Sequence, residues 1–112
     1  MPRDYRIYLE DMREAGQKVC RYVESLSFEA FASDERTIDA VARNLEILGE
    51  AAKQVPETIR LAHAQVDWHR IAGLRDILIH QYFGIDLVIV WDVVQNKLPV
   101  LLQRLDQILS SE

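Results

Sequence analysis

One cysteine in 112 residues leaves Cys20 without an internal disulfide partner. That excludes a cross-linked fold and suits a reducing compartment. Cys20 falls on the apolar side of a helical pattern, where a buried thiol is expected. Histidine is almost as scarce, at three residues, and no Glu has a His three positions later. A di-metal helical bundle wants Glu-x-x-His elements, so that class is excluded, and the scattered Cys and His match no familiar zinc spacing. The four Gly are isolated. The chain therefore has no P-loop, no G-x-G-x-x-G turn and no G-x-S-x-G nucleophile elbow. Neither a metal nor a cofactor is expected.

An excess of positive charge is missing too: 13 basic residues face 18 acidic ones, for a net charge of -5. A protein that coats nucleic acid needs many Lys or Arg contacts to phosphate, so that role is excluded while a small, locally positive site is not. All three His (His63, His69 and His80) lie in the stretch that also carries Arg60, Arg70 and Arg75. No apolar run is longer than Leu87 to Trp91, too short to span a bilayer. The first residues, Met1-Pro2-Arg3-Asp4-Tyr5, have no apolar signal region. A soluble, cytoplasmic protein is the expectation. With 49% apolar and 28% charged residues, the chain reads as one folded domain over residues 1–112.

Helical periodicity fills what remains. Tyr5, Leu9, Met12, Gly16, Val19, Val23 and Leu26 recur in steps of three and four, which marks one apolar face. Residues 27–33 read as a connector pinned by Phe28 and Phe31, with Ser33 as the N-cap of the next helix. That helix carries Ile38, Val41, Leu45, Leu48, Ala52 and Val55, and stops before Pro56. A short turn of helix is expected over 57–63. Asp67 then caps a helix running toward His80, which Gly84 closes. The last segment has a seam of Leu87, Trp91, Val94, Leu98, Leu101, Leu105 and Ile108, with Pro99 set to kink or restart it. The predicted fold is all-α, a compact four- to five-helix bundle. Val88, Val90, Val93 and Val100 lie off that last seam. A helix so apolar needs cover on two sides, so a homodimer is expected.

The chemistry concentrates in Gly73-Leu74-Arg75-Asp76-Ile77-Leu78-Ile79-His80-Gln81-Tyr82-Phe83-Gly84. An Arg, a His and a Tyr at spacing R-x4-H-x-Y are poor core material but good material for a phosphodiester. The guanidinium offers a permanent fork to phosphate oxygens, and the imidazole moves protons near neutral pH. On a regular helix positions 75 and 80 stand about 140° apart. Either the helix frays near His80, or the two side chains converge across a dimer interface, each from its own copy. Asp76 shares a face with His80 and is placed to hold the imidazole by hydrogen bond. Tyr82 on its own is a residue for stacking on a base or for hydrogen bonding. The plainer alternatives are an Arg75 salt bridge to Asp76 or Glu50, a helix-end His80 and a Tyr82 plugging the core edge. Glu46 and Glu50, one turn apart, are expected to pair with Arg43, Lys53 or Arg75.

The block from Asp67 to Asp86, together with Arg43 to Ala52 upstream and Trp91, Leu98 and Pro99 downstream, resembles the HepT-like ribonuclease toxins of the HEPN superfamily. The resemblance implies a HEPN-like homodimer that cuts RNA without metal, with Arg75 and His80 catalytic at the dimer cleft. It also implies a type VII toxin–antitoxin setting. There an MntA-like nucleotidyltransferase antitoxin would attach AMP to Tyr82 and block the toxin. RNA is then the substrate, and neither DNA nor a membrane is an expected partner. The rival is a non-catalytic helical module that binds nucleotide or protein beside a minimal nucleotidyltransferase, since one fold serves both purposes.

Overall fold

The computed structural model describes residues 4–80 and 86–111, and of Ile77, Ile79 and His80 the backbone alone. Every regular element among the described residues is helical. In order they are α1 (Tyr5–Val23), α2 (Phe28–Ala32), α3 (Glu35–Gln54), α4 (Glu57–Ala62), α5 (Trp68–Ala72), α6 (Leu74–His80), α7 (Leu87–Asp92) and α8 (Leu98–Ser111). A π-helical stretch, Val93–Lys97, joins the last two. The all-α bundle expected from periodicity is the fold, and no described helix is long and apolar enough to cross a membrane.

The four main limbs meet along their periodic faces. Helices α1 and α3 form the most extensive pairing; α3 also carries α5 and α6, and α1 carries α8. Leu9, Met12 and Val19 of α1, Val41, Leu45 and Leu48 of α3, and Leu98, Leu105 and Ile108 of α8 are fully buried. Each such side chain contributes roughly 1.5–3 kcal/mol by leaving water. Gly16 lets α8 approach α1, because a Cβ there would stand 2.7 Å from Leu102 Cδ2. Cys20 is half-buried against the same core, and burial raises its thiol pKa above the ordinary value. It is a packing residue rather than a reactive one.

Several boundaries differ from the reading of the sequence. The connector at residues 27–33 holds a helix of its own, α2, whose Ser27 Oγ accepts from the Ala30 N–H at 3.1 Å. Ser33 ends α2 by donating its hydroxyl to the Glu29 carbonyl at 2.9 Å. The cap of α3 is therefore Asp34, not Ser33. Its carboxylate accepts from the Thr37 N–H at 3.1 Å and from the Thr37 hydroxyl at 2.7 Å. Those bonds favour the charged form, and they hold the Asp34 carboxyl below its ordinary pKa. The exit of α1 is tight, with Ser25 in the left-handed region at φ 66°.

The single helix expected from Asp67 to His80 is two. Asp67 does cap it, accepting from the Arg70 N–H at 3.3 Å. Gly73, at φ -78° and ψ -8°, then flattens the chain and starts α6 afresh. Apart from proline, glycine is the residue that sustains a helix interior least well, because its backbone has the most freedom to lose. Expected adjustment at Pro99 occurs a turn earlier. The Leu98 N–H donates to Val93 O, five residues back, so the register slips before the proline ring arrives. One consequence is that Val90 is buried rather than off the seam, while Val88 (66% exposed) and Val100 (44%) do face out. Trp91 packs tilted on Phe31, with ring centroids 5.1 Å apart, and edge-on to Phe28 at 6.0 Å. Trp68 is buried and donates its indole N–H to His63 O at 3.0 Å.

Candidate active site

Arg75 is the second residue of α6, and its position is set by α3. The two helices touch at Gly49, where a Cβ would stand 3.1 Å from Ile71 O and 3.6 Å from the Arg75 backbone nitrogen. Only a residue without a side chain gives such an approach freely. The neighbouring Glu50 then reaches across, its Oε1 lying 3.1 Å from Arg75 Nε. The pairing expected of the two α3 carboxylates is present in all its forms: Glu50 is also 4.0 Å from Lys53 Nζ, and Glu46 is 3.7 Å from Arg43 NH1.

Arg43, Glu46, Glu50 and Arg75 line an open groove of about 510 Å³ between α1, α3 and α6. Tyr8 and Asp11 come from α1, Arg43 and Gln54 from α3, and Arg75 from α6. The Arg75 and Glu50 side chains are 45% and 48% exposed, so both can be reached from solvent. An arginine there offers a preformed fork to a phosphate, and the groove also supplies an amide and a phenol. Reading the sequence missed Gly49, Tyr8 and Asp11 as parts of this place. The spacing of Glu46 and Glu50, one turn apart on α3, is the one signal that pointed there.

The other predicted site residues stand as follows. Asp76 is exposed on α6, one turn before His80. His80 is the last residue of α6, and its side chain lies outside the described residues, as does the whole of Tyr82. The helix does not break between Arg75 and His80. Whether the helix frays at His80 or the two side chains meet across a dimer lies outside the described residues. A second, more apolar groove of about 740 Å³ runs between α5–α6 and the last limb, with Val66, Ile71, Leu74 and Leu101 on its walls and Val100 at its rim.

Comparison with known proteins gives the following. The profile of the family described as "Ribonuclease HepT-like" matches residues 12–108. A protein of Methanocaldococcus jannaschii provisionally named an RNase is 40% identical over 110 residues, covering 97% of this chain and 91% of the relative. A probable ribonuclease HepT of Thermococcus cleftensis is 37% identical over 108 residues, covering 96% and 98%. A provisionally named RNase of Caldanaerobacter subterraneus is 39% identical over 107 residues, covering 96% of each chain. No solved structure gives a significant match.

Proposed function

This chain belongs to the HepT-like ribonuclease family, and from that premise we propose that it is an endoribonuclease that cuts RNA through Arg75 and His80 without a metal ion. The observation that carries the reading is Arg75 itself, an accessible guanidinium held at the edge of an open groove, five residues before His80 on one helix.

The chemistry divides into three tasks. His80 of one copy takes the proton of the substrate 2′-OH as that oxygen bonds to the adjacent phosphorus. The bond from phosphorus to the 5′-oxygen breaks, and a protonated His80 of the second copy gives that oxygen its proton. Arg75 stabilises the charge that develops on the non-bridging oxygens through paired N–H donors. The products are a 2′,3′-cyclic phosphate and a 5′-hydroxyl, and no atom or charge is left over. Asp76 orients the His80 ring and raises its basicity.

In this reading two copies act together, since on a regular helix positions 75 and 80 stand about 140° apart. A homodimer brings Arg75 of one copy toward His80 of the other. The exposed Val88 and Val100 supply apolar surface for that contact. In the fuller reading the protein is a toxin, and Tyr82 is where a nucleotidyltransferase antitoxin attaches AMP. The added phosphates would crowd Arg75 and His80 with negative charge and exclude RNA.

One observation favours the rival. The groove holds Asp11, Glu46 and Glu50 against Arg43 and Arg75, so its balance is acidic. A non-catalytic partner of a nucleotidyltransferase would tolerate that balance better than a nuclease. Expression in bacteria separates the two: growth arrest by wild type, abolished by Arg75→Ala and by His80→Ala, supports the nuclease. Equal growth effects of all three proteins would count for the rival.

A further inference from the structure

The Glu50–Arg75 pair is unlike the ion pairs around it. Arg43–Glu46, Lys53–Glu50 and Arg70–Asp67 each link residues three apart in sequence. Glu50 and Arg75 instead join α3 to α6, one residue along from the Gly49 contact that sets the distance between those helices. The two Cα positions are thereby fixed by backbone packing before the side chains meet. Both side chains are close to half exposed. Exposed pairs of this kind contribute little to stability, so holding the fold together is not what this one does. What it restricts is the freedom of a long, flexible side chain. A carboxylate 3.1 Å from Nε stands on one side of the guanidinium and leaves the donors on its other edges for a phosphate.

We propose that Glu50 is a positioning residue for Arg75: its carboxylate holds the guanidinium at Nε, in the place where the phosphoryl group of RNA meets it. The proposal rests on the ribonuclease reading and deepens it. Glu50 touches no substrate atom. It acts by restricting Arg75 to one arrangement before RNA binds, which is the kind of preorganisation that lowers a barrier rather than one that tightens ground-state binding. The competing possibility is that Glu50 occupies Arg75 as a substitute anion that RNA must displace. The two predict opposite signs.

The test uses the full chain. Glu50→Gln keeps the shape and removes the charge. It is expected to lower kcat for RNA cleavage by about three- to tenfold while KM moves by less than about twofold. The melting temperature should stay within a few degrees, as for other exposed pairs. Glu50→Asp should recover part of the loss. In an Arg75→Ala background, Glu50→Gln should cost nothing further, because a residue that acts through Arg75 has nothing left to act on. Separately, the Arg75 Nε–H resonance in a nitrogen–proton correlation spectrum, assigned by its loss in Arg75→Ala, should shift in Glu50→Gln and stay in place in Lys53→Ala. Faster cleavage by Glu50→Gln, an equal loss in both backgrounds, or an unmoved Arg75 resonance would overturn the proposal. If the wild type cuts no RNA, the ribonuclease reading fails, and the Arg75 resonance still decides whether Glu50 holds the guanidinium.

Discussion

Gly49 and Ile71 meet backbone to backbone: a Cβ on the glycine would lie 3.1 Å from the Ile71 carbonyl oxygen. Helix α3 thus sets where α5 ends and α6 begins, and with them Arg75. Replacing Gly49 by Val puts a branched side chain into that contact. Overpacking of this kind costs roughly 1–3 kcal/mol, which thermal or urea unfolding will register. Gly49→Ala gains helix propensity while forcing the Ile71 carbonyl to give, so its net effect should stay within about 1 kcal/mol. Its RNA cleavage should nonetheless fall, since the start of α6 shifts. An alanine variant with full turnover would show that this approach does not matter to the site.

Phe31 is fully buried under Trp91, which ties α2 to α7. Phe31→Ala is expected to cost about 3–5 kcal/mol, the usual range for emptying a buried aromatic site. The melting temperature should fall by more than about 10 °C. Trp91 fluorescence should shift toward that of a solvent-exposed indole in the same variant. An unchanged emission would mean the two rings do not depend on each other.

The Asp34 cap carries a pH signature. Its carboxyl is held below the ordinary value by the Thr37 hydroxyl and the Thr37 N–H. A depressed pKa in the folded state means its contribution is complete above the unfolded value, about 3.9, and is lost as pH falls through the lower folded value. Asparagine caps a helix about as well but does not titrate. Wild type and Asp34→Asn should therefore melt alike near neutrality. Wild type should lose stability relative to the variant as pH drops below the ordinary carboxylate range. Parallel melting curves across that drop would contradict the assignment.

Helix α3 is legible in the sequence because nothing competes with its pattern. Ile38, Val41, Leu45, Leu48, Ala52 and Val55 repeat without a break, and Pro56 forbids continuation. Its first residue is less legible, since Ser33 and Asp34 are both good caps and only packing of Phe31 decides between them. The division of the helix after Asp67 turns on Gly73. A single glycine inside a helical pattern is as often tolerated as not, and here the contact with Gly49 is long-range in sequence. The π stretch ahead of Pro99 hides for a similar reason: the proline signals trouble, but where the register gives way depends on which valines can be buried.

The site is legible in part. Periodicity puts Glu46 and Glu50 on one face, and their partners are the three cations that charge alone would choose. Tyr8 and Asp11 could not be foreseen there, because nothing in the spacing of α1 says which of its flanks faces Arg75. The His80 side chain and the whole of Tyr82 lie outside the described residues.

The antitoxin setting makes its own prediction. Co-expression with a minimal nucleotidyltransferase from the same genome should raise the intact mass by one or more AMP units. Tyr82→Phe should abolish the shift. A shift that survives Tyr82→Phe would move the modification to another residue, and no shift in either protein would remove this form of control.

The most direct test of the account is RNA cleavage in EDTA by purified wild type, Arg75→Ala and His80→Ala, with mass analysis first confirming that the wild type carries no AMP. The account predicts cutting that EDTA does not stop, 2′,3′-cyclic phosphate ends, and a loss of at least about 100-fold in either variant. Cleavage by the variants at the wild-type rate, or no cleavage by unmodified wild type, would contradict it.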